Sequence, residues 1–396
     1  MVSFGGERSV HLLSIVGTRP EAIKIAPVAL AACRRRQLRH RILATGQHDV
    51  LFDEALAGFH LAPDLRLGPL LRDSDPDVVV ERLSGAIEPV LRAASPDLVL
   101  VQGDTNSALA GAVAAQGLGI PVGHVEAGLR SFDLQHPWPE ERNRVRIDRM
   151  ATLLFAPTRQ AAANLEADPD VMGAIHVTGN TGIDALLLTR AGIGRHTAPS
   201  PSLPSLILLT CHRRESIGEG MERICDAVLR LAARGDVIVL CPVHPNPAVG
   251  GTIRARLGGH PAIRLLGALP YRDTVAAMSA ARLILTDSGG IQEEAPALGI
   301  PTLVLRDVTE RPEGLATGNL ALVGTDPDQI VETAARLLDD PAAHAAMARP
   351  AFPFGQGDAA EKILDRVEQY FSSSSGHEHP LPFSPVWTKD GGPKGA

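Results

Sequence analysis

Short apolar runs recur along the chain, and many of them end in a cluster of polar or charged residues. Six such segments are LLSIVGTRPE (12–21), DLVLVQGDTN (97–106), PVGHVEAGLR (121–130), LILLTCHRRE (206–215), VIVLCPVHPN (237–246) and RLILTDSGG (282–290). A short uninterrupted apolar run is typical of a strand buried on both faces. Parallel strands present their carboxyl ends at one edge of a sheet, where open α/β folds bind ligands. We therefore expect these clusters to line a common site.

Stretches with helical periodicity separate the apolar runs, so the pattern predicts βαβ units and parallel sheets. In the first half we predict strands near 11–16, 41–45, 97–102, 120–125, 153–156 and 175–178, with helices such as 20–36 and 106–117. The second series has strands near 206–211, 237–241, 263–266, 283–286, 302–305 and 321–323, and helices near 218–233, 271–281, 289–298 and 327–338. The predicted fold class is α/β, with two Rossmann-like domains whose parallel sheets face a central cleft.

A segment rich in Pro, Ser and Gly, TRAGIGRHTAPSPSLPS (189–205), separates the two series and is typical of an interdomain linker. We therefore predict an N-terminal domain at 9–188 and a C-terminal domain at 204–350. A helix at 359–371 follows, and we expect it to pack back on the first domain. The tail 372–396 is also rich in Ser, Pro and Gly, so we expect it to be disordered.

Composition narrows the functional classes. The chain of 396 residues has a net charge of −7 and no basic stripe, which argues against nucleic acid as a partner. No apolar run approaches the roughly 20 residues that cross a bilayer, and the first ten residues lack a signal-peptide core. The four cysteines have no metal-ligand spacing, so we expect reduced thiols, no metal and a cytoplasmic location.

Candidate anion and proton-transfer groups follow the strands of the first domain. GTRPEAIK (17–24) places Arg19 and Lys24 near a helix N-terminus, which favours anions. The chain has 34 Arg and only 4 Lys, and Lys24 is the sole lysine before residue 362, so a compact ammonium is indicated there. Asp104 in GDTN (103–106) either caps the next helix or acts as an acid–base group.

The connection HVEAGLRSFDLQHPWPEERNR (124–144) supplies more charge. Glu126 follows a strand, and Arg144 lies on the next predicted helix. Glu140 begins that helix after Pro139, where the macrodipole alone favours an acid. The macrodipole does not explain Glu126, so we retain Glu126 and Glu140 as catalytic candidates.

The second domain adds groups suited to a diphosphate. CHRRES (211–216) places His212 and Arg213 after its first strand, and RDVTERPE (306–313) contributes Arg311. In TDSGGIQEEA (286–295), Ser288, Gly289 and Gly290 form a turn whose amides suit phosphate, and Glu294 suits a ribose diol. The chain has neither GxGxxG nor a Walker A loop, which argues against NAD and ATP. A diphosphate beside carboxylates indicates a nucleotide-sugar.

In this order the motifs resemble those of the non-hydrolysing UDP-N-acetylglucosamine 2-epimerase family, from about residue 11 to 371. The resemblance rests on GTRPEAIKIAPV, HVEAGLR, PWPEE, GNTGIDAL (179–186), HRRES, PVHPNP, LTDSGGIQEEAPALG and TERPEG. It implies a fold like that of the B-type glycosyltransferases, a homodimer, and interconversion of UDP-GlcNAc and UDP-ManNAc without a cofactor. UDP is eliminated to give 2-acetamidoglucal and then added back, in the supply of surface polysaccharide precursors.

The resemblance also implies roles for residues of this chain. The catalytic roles fall on Asp104, Glu126, Glu140 and His212. Substrate contacts fall on Arg19, Lys24, Arg144, Arg213, Ser288, Gly289, Gly290, Glu294 and Arg311. A regulatory site for a second UDP-GlcNAc falls on Gln47, His48 and His244, although Asp49 stands where the family usually has an arginine.

Four other functions stay open from the sequence. One is a related epimerase acting on a UDP-diacetamido-uronate, which GDTNSALAG and GLRSF also resemble. A second is a hydrolysing epimerase that releases ManNAc. A B-type glycosyltransferase and a nonenzymatic nucleotide-sugar sensor are the third and fourth.

Overall fold

The first of two parallel sheets organises the N-terminal half. The coordinates are a computed structural model that describes residues 9–46, 49–68, 75–193, 203–211, 218–243, 247–309 and 311–374. The strands are β1 Val10–Val16, β2 Leu38–Ala44, β3 Leu65–Arg66, β4 Leu98–Gln102, β5 Val122–Val125, β6 Leu153–Ala156 and β7 Ala174–Val177. Their spatial order is β3-β2-β1-β4-β5-β6-β7, and every pairing is parallel.

The second sheet repeats this plan. Its strands are β8 Ser205–Thr210, β9 Val237–Pro242, β10 Ile263–Leu266, β11 Leu283–Thr286, β12 Thr302–Val304 and β13 Leu320–Leu322. The order is β10-β9-β8-β11-β12-β13, again all parallel. The strand order reverses between β1 and β4 in the first sheet and between β8 and β11 in the second. In doubly wound folds, ligands bind outside the carboxyl ends of the strands at such reversals.

Helices cover both faces of each sheet. Those of the first half are α1 Arg19–Ala32, α2 Asp49–Ala57, α3 Pro76–Ala94, α4 Asn106–Gly117, α5 Glu140–Met150, α6 Arg159–Glu166 and α7 Thr181–Gly192. The others are α8 Glu219–Ala232, α9 Pro247–Leu257, α10 Tyr271–Ala280, α11 Gly289–Leu298, α12 Pro312–Ala316, α13 Pro327–Asp339, α14 Pro341–Met347 and α15 Ala359–Ser374. None of these helices is both long and apolar enough to cross a membrane.

Each sheet is buried between two apolar layers. On one face of the first sheet, α1, α2 and α15 form one core, and α3 and α4 form another on the opposite face. The second sheet packs against α8, α9 and α13 on one face. Its other core contains α10 and α11 together with Ile183 and Leu186 of α7 and with Phe354. Because α7 belongs to the first half of the chain, this last core joins the two domains.

The chain returns to the first domain through α15. Asp184 on α7 accepts hydrogen bonds from the N–H groups of Ala359 and Ala360, at 3.2 and 2.8 Å, and so caps α15. Arg35, just after α1, forms ion pairs with Glu361, Asp365 and Glu368 along α15. The return helix is therefore fixed at its start by a buried carboxylate and along its length by one arginine.

The predicted fold class is confirmed, and three predicted element boundaries differ from the observed ones by three or more residues. β2 begins at Leu38 instead of 41. The prediction missed its first residues because they alternate between buried and exposed positions and do not form an apolar run. α1 ends at Ala32 instead of 36. α15 continues through Ser374, so residues 372–374 are helical and not part of a disordered tail. Of the predicted linker 189–205, residues 189–192 belong to α7, and 194–202 lie outside the described residues, as do 375–396. The domain limits 9–188 and 204–350 stay predictions.

Candidate functional site

The turn after β1 is packed tightly against the turn after β4. A Cβ added at Gly17 would lie 2.1 Å from Ser107 Oγ and 2.3 Å from Thr45 Oγ1, so only glycine fits. Thr18 is extended and precedes α1, with Pro20 in its first turn. The start of α1 is thereby held at the edge where the order of the first sheet reverses.

Glu21 ties these two turns together and was not among the sequence candidates. The N–H groups of Gly17 and Thr18 donate to Glu21 Oε2 at 3.1 and 2.7 Å, and Thr105 Oγ1 donates to Oε1 at 2.7 Å. Burial raises the pKa of Glu21 to about 7, although these hydrogen bonds act to lower it. The reciprocal spacing of Thr18 and Glu21 fits a capping box, which is the signal that the sequence offered.

Lys24 of α1 forms an ion pair with Glu126. Glu126 directly follows β5 and has a φ of 72°, an uncommon conformation for a residue with a side chain. Its Oε2 also accepts a hydrogen bond from Gln102 Nε2 at 3.2 Å. Burial raises the pKa of Glu126 even though Lys24 opposes the shift. Burial would lower the pKa of Lys24, but attraction to Glu126 and Glu293 raises it.

Glu293 of α11 brings the second domain into the same network. Its carboxylate accepts from Asn180 Nδ2 and from Arg311 Nε, each at 2.9 Å, and lies 3.7 Å from Lys24 Nζ. Burial would raise the pKa of Glu293, but Lys24 and Arg311 together lower it. The sequence analysis selected its neighbour Glu294 and missed this residue.

Asp104 and Glu126 follow the adjacent strands β4 and β5, in which Gln102 is paired with Val125. Arg144 of α5 donates to Asp104 through Nε, at 3.1 Å, and through Nη2. The same guanidinium reaches buried Glu141 through Nη1 at 3.1 Å. Capping of α4 is done by Thr105, whose side chain accepts from the Ala108 N–H. The Asp104 carboxylate is therefore not needed as the cap.

Glu140 is the first residue of α5 and follows Pro139. Its side chain is partly buried and forms no hydrogen bond or ion pair with any residue that the structure describes. The helix dipole alone favours an acid at this position. Among the residues that the structure describes, nothing therefore occupies the Glu140 carboxylate.

A buried group of charges supports the strands below these carboxylates. His124 Nδ1 lies 2.6 Å from Asp148 Oδ1, and His124 Nε2 lies 2.8 Å from the carbonyl oxygen of Gly103. Arg130 Nη1 donates to Asp148 Oδ2 at 2.6 Å. His124 thus links β5 to the residue before Asp104, which fixes the distance between the two strand ends.

The turn after β11 presents the start of α11. Ser288 precedes the helix and its hydroxyl does not cap it, while its N–H donates to Thr286 Oγ1 at 2.9 Å. Gly290 is exposed, and a Cβ there would have no neighbour within 4 Å. The first amides of a helix have no intrahelical acceptor, so this terminus favours an anion.

Arg19 and Glu294 meet near Tyr271 at the junction of the two domains. Arg19 Nη2 donates to the carbonyl oxygen of Leu269 at 2.6 Å, and Tyr271 Oη donates to Glu294 Oε1 at 2.7 Å. Burial lowers the pKa of Arg19, and burial raises the pKa of Glu294 to about 7. Tyr271 thus orients the Glu294 carboxylate, which the sequence predicted to bind a ribose diol.

Some predicted residues lie outside the part of the chain that the structure describes. They are His212 and Arg213 of the predicted anion site and Gln47, His48 and His244 of the predicted regulatory site. Within the described ranges, no group of three His, Cys, Asp or Glu side chains has the arrangement of a metal site. All four cysteines are free thiols.

Comparison with known proteins gives a consistent result. Residues 31–368 match the family described as UDP-N-acetylglucosamine 2-epimerase. The UDP-N-acetylglucosamine 2-epimerase of Escherichia coli K12 is 41% identical over 370 residues, covering 91% of this chain and 98% of that protein. The crystal structure of UDP-GlcNAc 2-epimerase from Neisseria meningitidis bound to UDP-GlcNAc has 37% identity and a TM-score of 0.84, covering 91% of this chain and 100% of that one.

A more distant structure defines the architecture. The calicheamicin glycosyltransferase CalG4 shares 16% identity and superposes with a TM-score of 0.58, covering 93% of this chain and 100% of that one. The two parallel sheets, with the candidate site at the carboxyl ends of their strands, thus define a two-domain α/β protein of the B-type glycosyltransferase architecture. The chain belongs to the UDP-N-acetylglucosamine 2-epimerase family, because the family match spans most of its length and the relatives exceed 30% identity. The resemblance drawn from the motifs is confirmed.

Proposed function

We propose that this chain is a non-hydrolysing epimerase that interconverts UDP-GlcNAc and UDP-ManNAc by inverting C2 of the sugar. The observation that carries the proposal is that Asp104 and Glu126 follow the adjacent strands β4 and β5 and each forms an ion pair with a cation, next to the point where the strand order of the first sheet reverses. The named activity of the Escherichia coli relative and the UDP-GlcNAc bound to the Neisseria protein support this choice of substrate.

The proposed reaction has two halves. The hydrogen on C2 is not acidic, so its removal must be coupled to departure of UDP from C1. A base takes the C2 proton, the C2–H electrons form a C1–C2 double bond, and the C1–O bond breaks toward the β-phosphate oxygen. UDP and 2-acetamidoglucal result. The same phosphate oxygen then attacks C1 while an acid delivers a proton to the opposite face of C2, so atoms and electrons balance.

We assign the two proton transfers to the Asp104 and Glu126 carboxylates, one on each face of the ring. Glu126 suits this role because burial raises its pKa, which makes the carboxylate a stronger base for the C2 proton. Asp104 is oriented by two hydrogen bonds from Arg144. Glu140 has no partner among the described residues and is a third candidate, and His212 is proposed from the resemblance alone.

We assign the diphosphate to the cations and amides around these carboxylates. Negative charge develops on the β-phosphate as UDP leaves, so fixed donors there lower the barrier. Lys24, Arg311 and the amides of the Ser288–Gly290 turn are the proposed donors. Glu294, oriented by Tyr271, is the proposed acceptor for the ribose hydroxyls.

From the resemblance alone we further propose that the chain acts as a cytoplasmic homodimer and supplies precursors for surface polysaccharides. Light scattering of the purified chain, with UDP-GlcNAc and without it, tests the dimer.

The function is tested by NMR of UDP-GlcNAc incubated with the protein in D2O. We expect UDP-ManNAc to appear and deuterium to enter C2 of both sugars, because each turnover exchanges the C2 proton. Free ManNAc with UDP would identify a hydrolysing enzyme instead. Absence of both product and exchange would refute the proposal.

A further inference from the structure

We propose that Glu293 is a positioning residue that controls proton exchange at Glu126 through Lys24 and Arg311. The inference rests on the proposed function, since it concerns proton transfer at C2 of the sugar. No motif assigned a role to Glu293, whose neighbour Glu294 accepts a hydrogen bond from Tyr271 instead.

Glu293 is held in place from both domains. Asn180, the first-domain residue that caps α7, donates to Glu293 Oε2 at 2.9 Å. Arg311 of the second domain donates to Oε1 through Nε at 2.9 Å, and its Nη2 forms an ion pair with the same oxygen at 2.9 Å. The Glu293 side chain is only 5% exposed. A carboxylate fixed by donors on both its oxygens has little freedom to turn away from Lys24.

Three charged side chains surround Glu126, the proposed proton-transfer group. The charged side chains around Glu126 are Lys24 on α1, Glu293 on α11 and Arg311 just before α12. The neutral amide of Gln102 on β4 also contacts Glu126. The two cations balance the two carboxylates. Lys24 is shared, because it contacts Glu126 directly and lies 3.7 Å from Glu293. A change at Glu293 therefore alters both the position of Lys24 and the field at Glu126.

The charges act on Glu126 with opposite signs. The negative charge of Glu293 raises the pKa of Glu126, and the positive charge of Arg311 lowers it. Glu293 and Arg311 belong to the second domain, whereas Glu126 and Lys24 belong to the first. The balance that tunes Glu126 is thus complete only when the two domains are in contact.

The test compares pH profiles of kcat for UDP-GlcNAc epimerisation. Glu293→Gln keeps the size of the side chain and removes its charge, so the profile limb set by Glu126 should move to lower pH by about one unit. Arg311→Gln should move the same limb to higher pH. We expect kcat of Glu293→Gln to fall by about tenfold while KM changes by less than about threefold.

The control is Glu332→Gln, an exposed glutamate on α13, which should leave the profile and both constants unchanged. Circular dichroism establishes that each variant is folded, and Arg311→Gln decides the matter by itself if Glu293→Gln does not fold. The inference is supported if the limb of the pH profile set by Glu126 moves to lower pH in Glu293→Gln and to higher pH in Arg311→Gln. A limb that stays in place, or that moves the same way in both variants, overturns it. If the unaltered protein gives no C2 exchange in D2O, the proposed function fails instead.

Discussion

The carboxylates at this site differ in what surrounds them, and those differences separate their roles. Glu21 and Glu294 are buried against hydrogen-bond donors, and burial raises the pKa of each to about 7. Glu126 and Asp104 each face a cation at a strand end. We therefore assign proton transfer to Glu126 and Asp104, the carboxylates that face a cation at a strand end. Glu21 accepts three hydrogen bonds, so we assign it a structural role.

Asp104→Asn tests the assignment of proton transfer. Asparagine keeps the shape of the side chain but cannot take a proton, so turnover should fall by about 10²–10⁴-fold. Binding of UDP-GlcNAc, measured by calorimetry, should remain within about tenfold, because the proposed UDP contacts lie elsewhere. The control is Asp328→Asn, which removes an exposed carboxylate on α13. Loss of binding in parallel with turnover would contradict the assignment.

Strand endings marked candidates such as Asp104 and Glu126 in the sequence, whereas no sequence signal marked a residue whose surroundings depend on helix orientation. Asp104 and Glu126 follow the strands β4 and β5, which are neighbours in the first sheet. Glu293 and Glu294 are adjacent in α11 and point to different partners, Arg311 and Tyr271. Only the tertiary position of α11 shows which carboxylate enters the charged network.

At the scale of elements, the contact between α7 and α15 determines where the C-terminal helix packs on the first domain. Asp184 is 4% exposed and caps α15 across the domain. Burial raises the pKa of Asp184 to about 6, despite the hydrogen bonds from Ala359 and Ala360. The folded protein therefore binds this proton more tightly than the unfolded chain does.

The contribution of Asp184 to stability should depend on pH. It is fully present below the unfolded pKa of about 3.9 and is lost as pH rises through about 6. Between pH 5 and pH 7 the free energy of unfolding should therefore decrease by about 1 kcal/mol relative to Asp184→Asn. Urea titrations across this range measure the difference. Asp328→Asn serves as control and should parallel the unaltered protein, and parallel curves for Asp184→Asn would refute the expectation.

The elements themselves were mostly predictable, because buried parallel strands are apolar throughout. β4 is buried at all five positions and was predicted to within one residue. β2 was shortened in the prediction because Arg39 and Arg41 alternate with less exposed residues at its start. That alternation arises because only the first residues of β2 are exposed on one face of the sheet. Whether a neighbouring helix covers a given strand position cannot be read from the strand's own residues.

At the scale of the whole molecule, the two domains share an apolar core as well as the charged network. Phe354 is 4% exposed and packs with Ile183 and Leu186 of α7 and with residues of α10 and α11. Its carbonyl oxygen accepts from the Asn180 N–H at 2.7 Å, next to the side chain that holds Glu293. Apolar packing and the site network therefore depend on the same junction.

Phe354→Ala should destabilise the protein by about 3–5 kcal/mol, because it leaves a cavity in the shared core. Phe352, two residues away, is 42% exposed, and Phe352→Ala should cost less than about 1 kcal/mol. Chemical denaturation of both variants measures the contrast. Equal destabilisation by the two substitutions would show that Phe354 does not hold the junction.

The scarcity of lysine has a practical consequence for chemical labelling. Only Lys24 and Lys362 occur among the described residues, and their side chains are 17% and 47% exposed. Acylating reagents modify neutral, accessible amines, so Lys362 serves as an internal reference. Lys24 is shielded and kept protonated by its carboxylate neighbours. The rate at which mass spectrometry detects a tag on Lys24, relative to Lys362, therefore reports how often the ion pairs of Lys24 open, without any fluorophore or engineered cysteine.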